Sequence, residues 1–405
     1  MESSIMHQNR AILRRSPAIL PVAVLTLVLG LQGCANLPLG GKGEDVVRGG
    51  YAPTDQVALL LPLEGPLLGV AGAVRDGVRA AARVDDVESK PKLVPVGSGP
   101  PDQVTKAFGQ AVGEGATYVI GPIDKPSVDA LAAMGGLRAV TLALNEGTFV
   151  GRPSRNLFQF SLSPEADAVE VANKAKALGF TRALMLYPDD GAGKRRADAF
   201  RAHWNRLVGT LVGESAFDPG AAAYPPNAQG LLARGDADFL FLAANADQAQ
   251  SIYPRIRQDA ADLPVIATSD VYSGDSDPVR DRALAGLYFV DMPWMLGVER
   301  MNDPLTRADL KTSAAYLATP LGKRLYAMGI DAYRLAPRLA RLAGQPGSTF
   351  AGQTGRLSLD AMGRVRRELV LGRFTESGPE PVAGMKKQPR SAQTRHPRPE
   401  PTSRG

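Results

Sequence analysis

The chain has 405 residues, 44% of them hydrophobic, with a formal net charge of +6 and one cysteine. The excess charge sits at the ends: Arg10, Arg14 and Arg15 stand against Glu2 at the start, and residues 377–405 hold six Lys/Arg against two Glu. A near-neutral body excludes a basic nucleic-acid-binding domain, and a single cysteine excludes an internal disulfide and thiolate metal clusters.

Residues 16–31 (SPAILPVAVLTLVLGL) carry no charge and follow the arginines. A basic start, a short apolar stretch and small residues at its end form a secretory signal pattern. The apolar stretch contains Pro17 and Pro21 and is shorter than the roughly 20 residues a membrane span needs. Leu31-Gln32-Gly33-Cys34 resembles a bacterial lipobox, which makes residues 1–33 the cleaved signal peptide and Cys34 the lipidated mature N-terminus. Several acyl chains anchor a protein stably where one does not. Ala35 follows the cysteine in place of an inner-membrane-retaining aspartate, so the expected location is the periplasmic face of the outer membrane. Residues 34–54 read as a Gly-containing linker.

From residue 55 to 376 short apolar runs alternate with amphipathic stretches. The runs cover residues 56–63, 92–96, 116–121, 139–144, 182–188, 210–217, 237–244, 263–269 and 286–291. Near-continuous Val/Leu/Ile/Phe runs suit parallel strands covered on both faces. Residues 65–84 and 163–179 read as helices; the second has Ser163 at its N-cap, Pro164 in its first position and Gly179 past its end. The order predicts an α/β protein with parallel sheets. Nine strands are better housed in two lobes than in one layer. The extended run 156–168 places a crossing from lobe 1 to lobe 2, with a return near 286–295. Lobe 1 is thus about 55–157 with 290–343, and lobe 2 about 158–289 with 344–376. Residues 377–405 lack apolar periodicity and read as a disordered basic tail.

Catalytic residue types are scarce. The only histidine of the body is His203, beside Trp204 in a helical stretch, and a packing role outweighs a general-base role there. No HExxH, GxSxG or GxxxxGK[ST] motif occurs. No catalytic residue, metal or cofactor is expected, and the reading is a non-enzyme. Ligands of open α/β sheets sit beyond the carboxyl ends of strands. Three loops there supply candidate cleft residues: Glu64 and Gly65; Ser127; and Thr268, Ser269, Asp270 and Tyr272. Met292, Trp294 and Met295 in DMPWMLG form a candidate interface, since Trp and Met favour interfaces as well as cores.

The segments VALLLPLEGPL, YVIGPIDKPSVDAL, TLALN, FSLSPEADA, ADFLFLAANADQAQSIYPRIR, DLPVIATSDVYSG, DMPW and RLYAMGIDAYRLAPRLARL occur in an order that resembles the penicillin-binding-protein activator family, the LppC-type outer-membrane lipoproteins. The resemblance spans 55–376. It implies a periplasmic-binding-protein type I fold with two Rossmann-like lobes, and GQTGRLSLDAMGRVRREL (352–369) returning to lobe 2 as a β-rich ending. It also implies a non-catalytic lipoprotein that binds and activates a class A penicillin-binding protein. The alternative is a membrane-tethered solute-binding or sensing protein using the interlobe cleft for a small polar ligand. Members of the family carry a long helical-repeat domain ahead of the two lobes, where this sequence has residues 34–54.

Overall fold

A computed structural model describes residues 50–85, 90–220, 224–298, 303–308, 310 and 314–385. Cys34, the signal segment, the linker up to residue 49 and the tail from 386 onward lie outside the described residues.

The first lobe contains β1 (Gln56–Leu61), α1 (Leu68–Val84), β2 (Lys92–Gly97), α2 (Val104–Gly113), β3 (Tyr118–Ile120), α3 (Lys125–Ala133), β4 (Val140–Ala143) and β5 (Leu157–Gln159). Its five strands are all parallel, in the order β2-β1-β3-β4-β5. The strand period of two sorts QVALLL onto two cores. Val57, Leu59 and Leu61 enter the core shared with α1, while Ala58 and Leu60 enter the one under α2 and α3.

After β5 the chain crosses at residues 160–163 into the second lobe. Its elements are α4 (Pro164–Ala177), β6 (Arg182–Pro188), α5 (Gly191–Arg206), β7 (Thr210–Phe217), α6 (Pro226–Leu232), β8 (Phe239–Leu242), α7 (Ala246–Asp259), β9 (Val265–Ala267), α8 (Pro278–Ala283) and β10 (Tyr288–Asp291). The Ser163 hydroxyl accepts the Ala166 N–H at 3.1 Å, so the cap read from the sequence starts α4. Phe200, Trp204, Phe239 and Phe241 fill the core beneath α5, with the Phe200 and Phe241 rings 4.4 Å apart.

The chain then forms α9 (Pro320–Leu335), α10 (Leu339–Gly344), β11 (Phe350–Ala351), β12 (Arg356–Leu359), β13 (Val365–Glu368), β14 (Val370–Thr375) and β15 (Gly378–Val382). The second sheet runs β15-β14-β10-β9-β8-β6-β7. Strands β6 to β10 are parallel, repeating the first lobe's order, and β14 and β15 add antiparallel.

Two features of the C-terminal region differ from the sequence reading. Strands β11 to β13 do not join lobe 2: they form their own antiparallel sheet, whose Leu357 and Val365 pack into the first lobe's core. Only β14 and β15 reach the second sheet. The expected tail also begins too early, because GPEPV (378–382) is the strand β15. Its composition gave no signal, since backbone bonds to β14 hold it and Pro379 and Pro381 suit it only to a sheet edge.

Helix α9 is buried nearly all round and lies against α1 at very close range. A Cβ on Gly77 would stand 2.0 Å from the Tyr326 carbonyl oxygen, and one on Gly329 would stand 2.2 Å from that of Val74. Only glycine allows this backbone approach. Gly77→Ala should lower stability by about 1–3 kcal/mol through overpacking, although Ala is the better helix former by about 1 kcal/mol. Gly109→Ala in α2, which meets nothing within 4 Å, is the control and should hold or raise the urea midpoint.

Candidate functional site

In the first lobe the strand order reverses between β1 and β3, the position where open α/β sheets leave a crevice. Glu64 and Gly65 follow β1 and are exposed, with Gly65 turning the chain at φ +80°. Ser127 follows β3, in the first turn of α3. Its N–H donates to Asp124 Oδ1 at 2.9 Å, whereas its hydroxyl is buried without a partner.

In the second lobe Thr268 follows β9, one strand away from the corresponding reversal between β6 and β8. Its hydroxyl is also buried without a partner. Its neighbours have other duties. The Ser269 hydroxyl donates to Asp167 at 2.5 Å, Asp270 pairs with Arg196 at 2.5 Å, and the Tyr272 hydroxyl accepts from Arg307 at 2.9 Å. Ser269, Asp270 and Tyr272 thus already hold partners within the chain.

What holds Ser269 and Tyr272 is a joint between the lobes. Arg324 of α9 reaches Asp291 at the end of β10, with Nη2 2.6 Å from Oδ2, and donates to the carbonyls of Ser269 and Tyr272 at 2.9 and 3.1 Å. Asp291 is 1% exposed, and its burial pushes the carboxyl up against the pull of Arg324. Arg367 of β13 pairs with Asp167 in the first turn of α4 at 2.8 Å. Lys323 of α9 reaches Asp275 at 2.5 Å, and Lys174 of α4 reaches Glu368 at 3.2 Å. The Leu369 N–H closes the same seam on the Glu170 carboxylate at 3.1 Å.

Met292, Trp294 and Met295 belong to this joint. All three are at most 1% exposed; the Trp294 ring lies 5.8 Å from that of Tyr326 in α9, and its indole N–H donates to the Leu305 carbonyl at 3.0 Å. They form an internal seam, which corrects their reading as a partner-facing surface: a Trp–Met cluster covers apolar area equally well within one chain.

The sequence reading missed Arg324, Asp291, Arg367 and Asp167. A signal was present, because Arg324, Asp331 and Arg334 interrupt an otherwise apolar helical segment. Asp331, fully buried, accepts the N–H groups of Gln353 and Thr354 at 2.7 Å each and ties the approach to β12 onto α9. His203 shows no catalytic arrangement: Arg206 donates to Nδ1 at 3.0 Å, leaving Nε2–H to donate to Asn173 Oδ1 at 2.6 Å.

Comparison with known proteins follows the same body. Residues 49–222 and 228–377 match the family described as "LppC putative lipoprotein". The penicillin-binding protein activator LpoA of Photobacterium profundum is 28% identical over 372 residues, 84% of this chain and 59% of that protein. LpoA of Pasteurella multocida is 27% identical, with 80% and 54% covered. The chain therefore spans little more than half the length of these curated relatives. Among solved structures, the C-domain of LpoA from Haemophilus influenzae, titled a regulator of PBP1A, superposes with a TM-score of 0.69 at 23% identity over 81% of this chain and all of that domain. A "putative branched-chain amino acid ABC transporter" from Chromobacterium violaceum gives 0.60 at 31% identity, covering 79% and 99%. The fold is that of type I periplasmic binding proteins.

Removing one partner of the buried pair leaves the other charge stranded. Arg324→Met should cost about 3–5 kcal/mol, and Arg324→Met with Asp291→Leu should recover most of it, read by urea unfolding. His203 provides a pH test. Burial, with Arg206 and Arg366 nearby, lowers its pKa below the ordinary value. The folded state then binds fewer protons than the unfolded one, so its stability is fully present above about pH 6.5 and declines as pH falls through that value. His203→Gln should flatten the decline in melting temperature between about pH 7 and 5.

Proposed function

The chain belongs to the LppC lipoprotein family, and from that membership we propose that it binds and activates a class A penicillin-binding protein and so regulates peptidoglycan synthesis. It acts as a non-catalytic protein, held by lipid on Cys34 at the periplasmic face of the outer membrane. The observation that carries this reading is the extent of the match, which runs through both lobes and corresponds to the whole of a domain titled a regulator of PBP1A. Activation requires only that the protein prefer one conformation of the synthase, so differential contact energy shifts the synthase population without chemistry in this chain. The pinned joint suits that task, because a rigid surface loses little ordering entropy on docking.

Tethered solute binding, the second reading, draws on the unpartnered hydroxyls of Ser127 and Thr268. Against it stand the ion pairs that fasten α9 and β13 to lobe 2, since closure on a solute needs lobes that swing.

The test combines the purified full-length lipoprotein in detergent with the class A synthase of the same organism. Binding at about micromolar affinity or tighter and a rise in peptide cross-linking are expected. Cys34→Ala should move the protein from the membrane to the soluble fraction while leaving activation in detergent intact. Ser127→Ala with Thr268→Val should leave activation unchanged. Absence of binding at micromolar concentrations would sink the activator reading.

A further inference from the structure

A second concavity lies at the far end of lobe 2 from Thr268, where β9 and β10 begin. It encloses about 390 Å³ and is walled by Tyr253 and Arg257 of α7, Tyr288 of β10, Arg373 of β14 and Val382 of β15. That volume falls within the roughly 300–1,000 Å³ of small-molecule sites. No residue of the joint between the lobes lines it.

Its chemistry is specific. Tyr253 and Arg257 stand one helical turn apart, so both project from one face of α7. The Arg257 guanidinium is anchored by donation to the Ala261 carbonyl oxygen. Arg373 is the cross-strand neighbour of Tyr288 and holds its guanidinium 5.5 Å from that ring's centre. Arg257, Arg373 and the Tyr253 ring all line the one cavity, and both cations favour the ionised form of the Tyr253 phenol. Burial nevertheless raises this phenol to about 12, keeping it a neutral hydrogen-bond donor at physiological pH.

Among the described residues neither Arg257 nor Arg373 makes an ion pair with a carboxylate. Asp262 also lines the cavity but makes no ion pair with either arginine, and Glu380 lies across the strands from Arg373 without reaching ion-pair distance. Some arginines of the second lobe are matched, among them Arg182 with Asp236, Arg196 with Asp270, Arg201 with Glu214 and Arg280 with Asp247; what sets Arg257 and Arg373 apart is that both line one cavity. Two guanidinium forks lining one cavity beside two tyrosine rings fit a planar carboxylate or a phosphate on a flat body. None of the large apolar side chains exposed on the surface lines the cavity, so it does not resemble a lipid-insertion site.

We propose that this cavity, formed by Tyr253, Arg257, Tyr288 and Arg373, binds a small soluble anion: a carboxylate or phosphate carried on an aromatic-sized planar group. The proposal does not depend on the activator reading.

The full-length protein is titrated with benzoate and phenyl phosphate as probes, with neutral benzamide as control, by calorimetry and by following tyrosine ring resonances. Saturable binding of at least one anion, with shifts at Tyr253 and Tyr288, is expected. Arg257→Gln with Arg373→Gln should weaken it at least about tenfold, and Arg373→Lys should lose part of the affinity because the fork is gone. Both arginines are exposed, so these variants should melt like the parent; Arg257→Gln alone serves if the double variant does not fold. The proposal is overturned by any of three results: neither anion binds up to about 10 mM, benzamide binds as well as benzoate, or the arginine variants bind the anions unchanged.

Discussion

The architecture depends on one helix being shared by two lobes. Leu325, Met328, Ile330 and Tyr333 of α9 sit in the first lobe's core, Ala327 sits in the second's, and Arg324 crosses to Asp291. A helix buried on all sides cannot expose its charges, so each must find a partner inside the protein. Arg324 takes Asp291 and two carbonyls, Arg334 takes Asp85 and Asp303, and Asp331 takes the backbone before β12. Buried pairs of this kind contribute little net stability, but they are unfavourable to separate and so specify position.

The same constraint explains the glycines. For α9 to serve both lobes it must lie close to α1, and the approach of Gly77 to Tyr326 and of Gly329 to Val74 sets that distance. Once α9 is fixed, Asp331 fixes the chain that enters β12, Arg367 of β13 fixes the first turn of α4, and Glu368 its last. The joint is thus one connected unit of polar contacts flanked by the apolar seam of Trp294, Met292 and Met295. These contacts fasten the two lobes to each other on both sides of α9.

The strands and the capped start of α4 were legible in the sequence because they rest on local rules. Runs such as QVALLL and RALMLYP have the composition of strands covered on both faces, and Ser163-Pro164 reads as a helix start in any context. The small chain of β15 was not legible: its backbone pairing carries it, and GPEPV has the composition of a loop. The placement of β11 to β13 was misread for a related reason. Hydrophobic alternation in RLSL and VRRE tells that a face is buried but not which lobe's core receives it. At the candidate site, Ser127 and Thr268 stand at strand ends where the alternation of strands and helices puts them. Ser269, Asp270 and Tyr272 were read as available only because their partners, Arg324, Arg196 and Arg307, lie far away along the chain.

The sequence by itself determined the α/β class, the parallel strands and family membership, since each depends on patterns within short windows or on their order. Tertiary structure alone decided that the serine and tyrosine of ATSDVYSG are tied into a joint, that DMPWM is an internal seam, and that Arg257 and Arg373 converge on one cavity. Those outcomes depend on which side chains meet across tens of residues of chain or more. Burial then makes each meeting obligatory or leaves a charge free, and no local pattern records which.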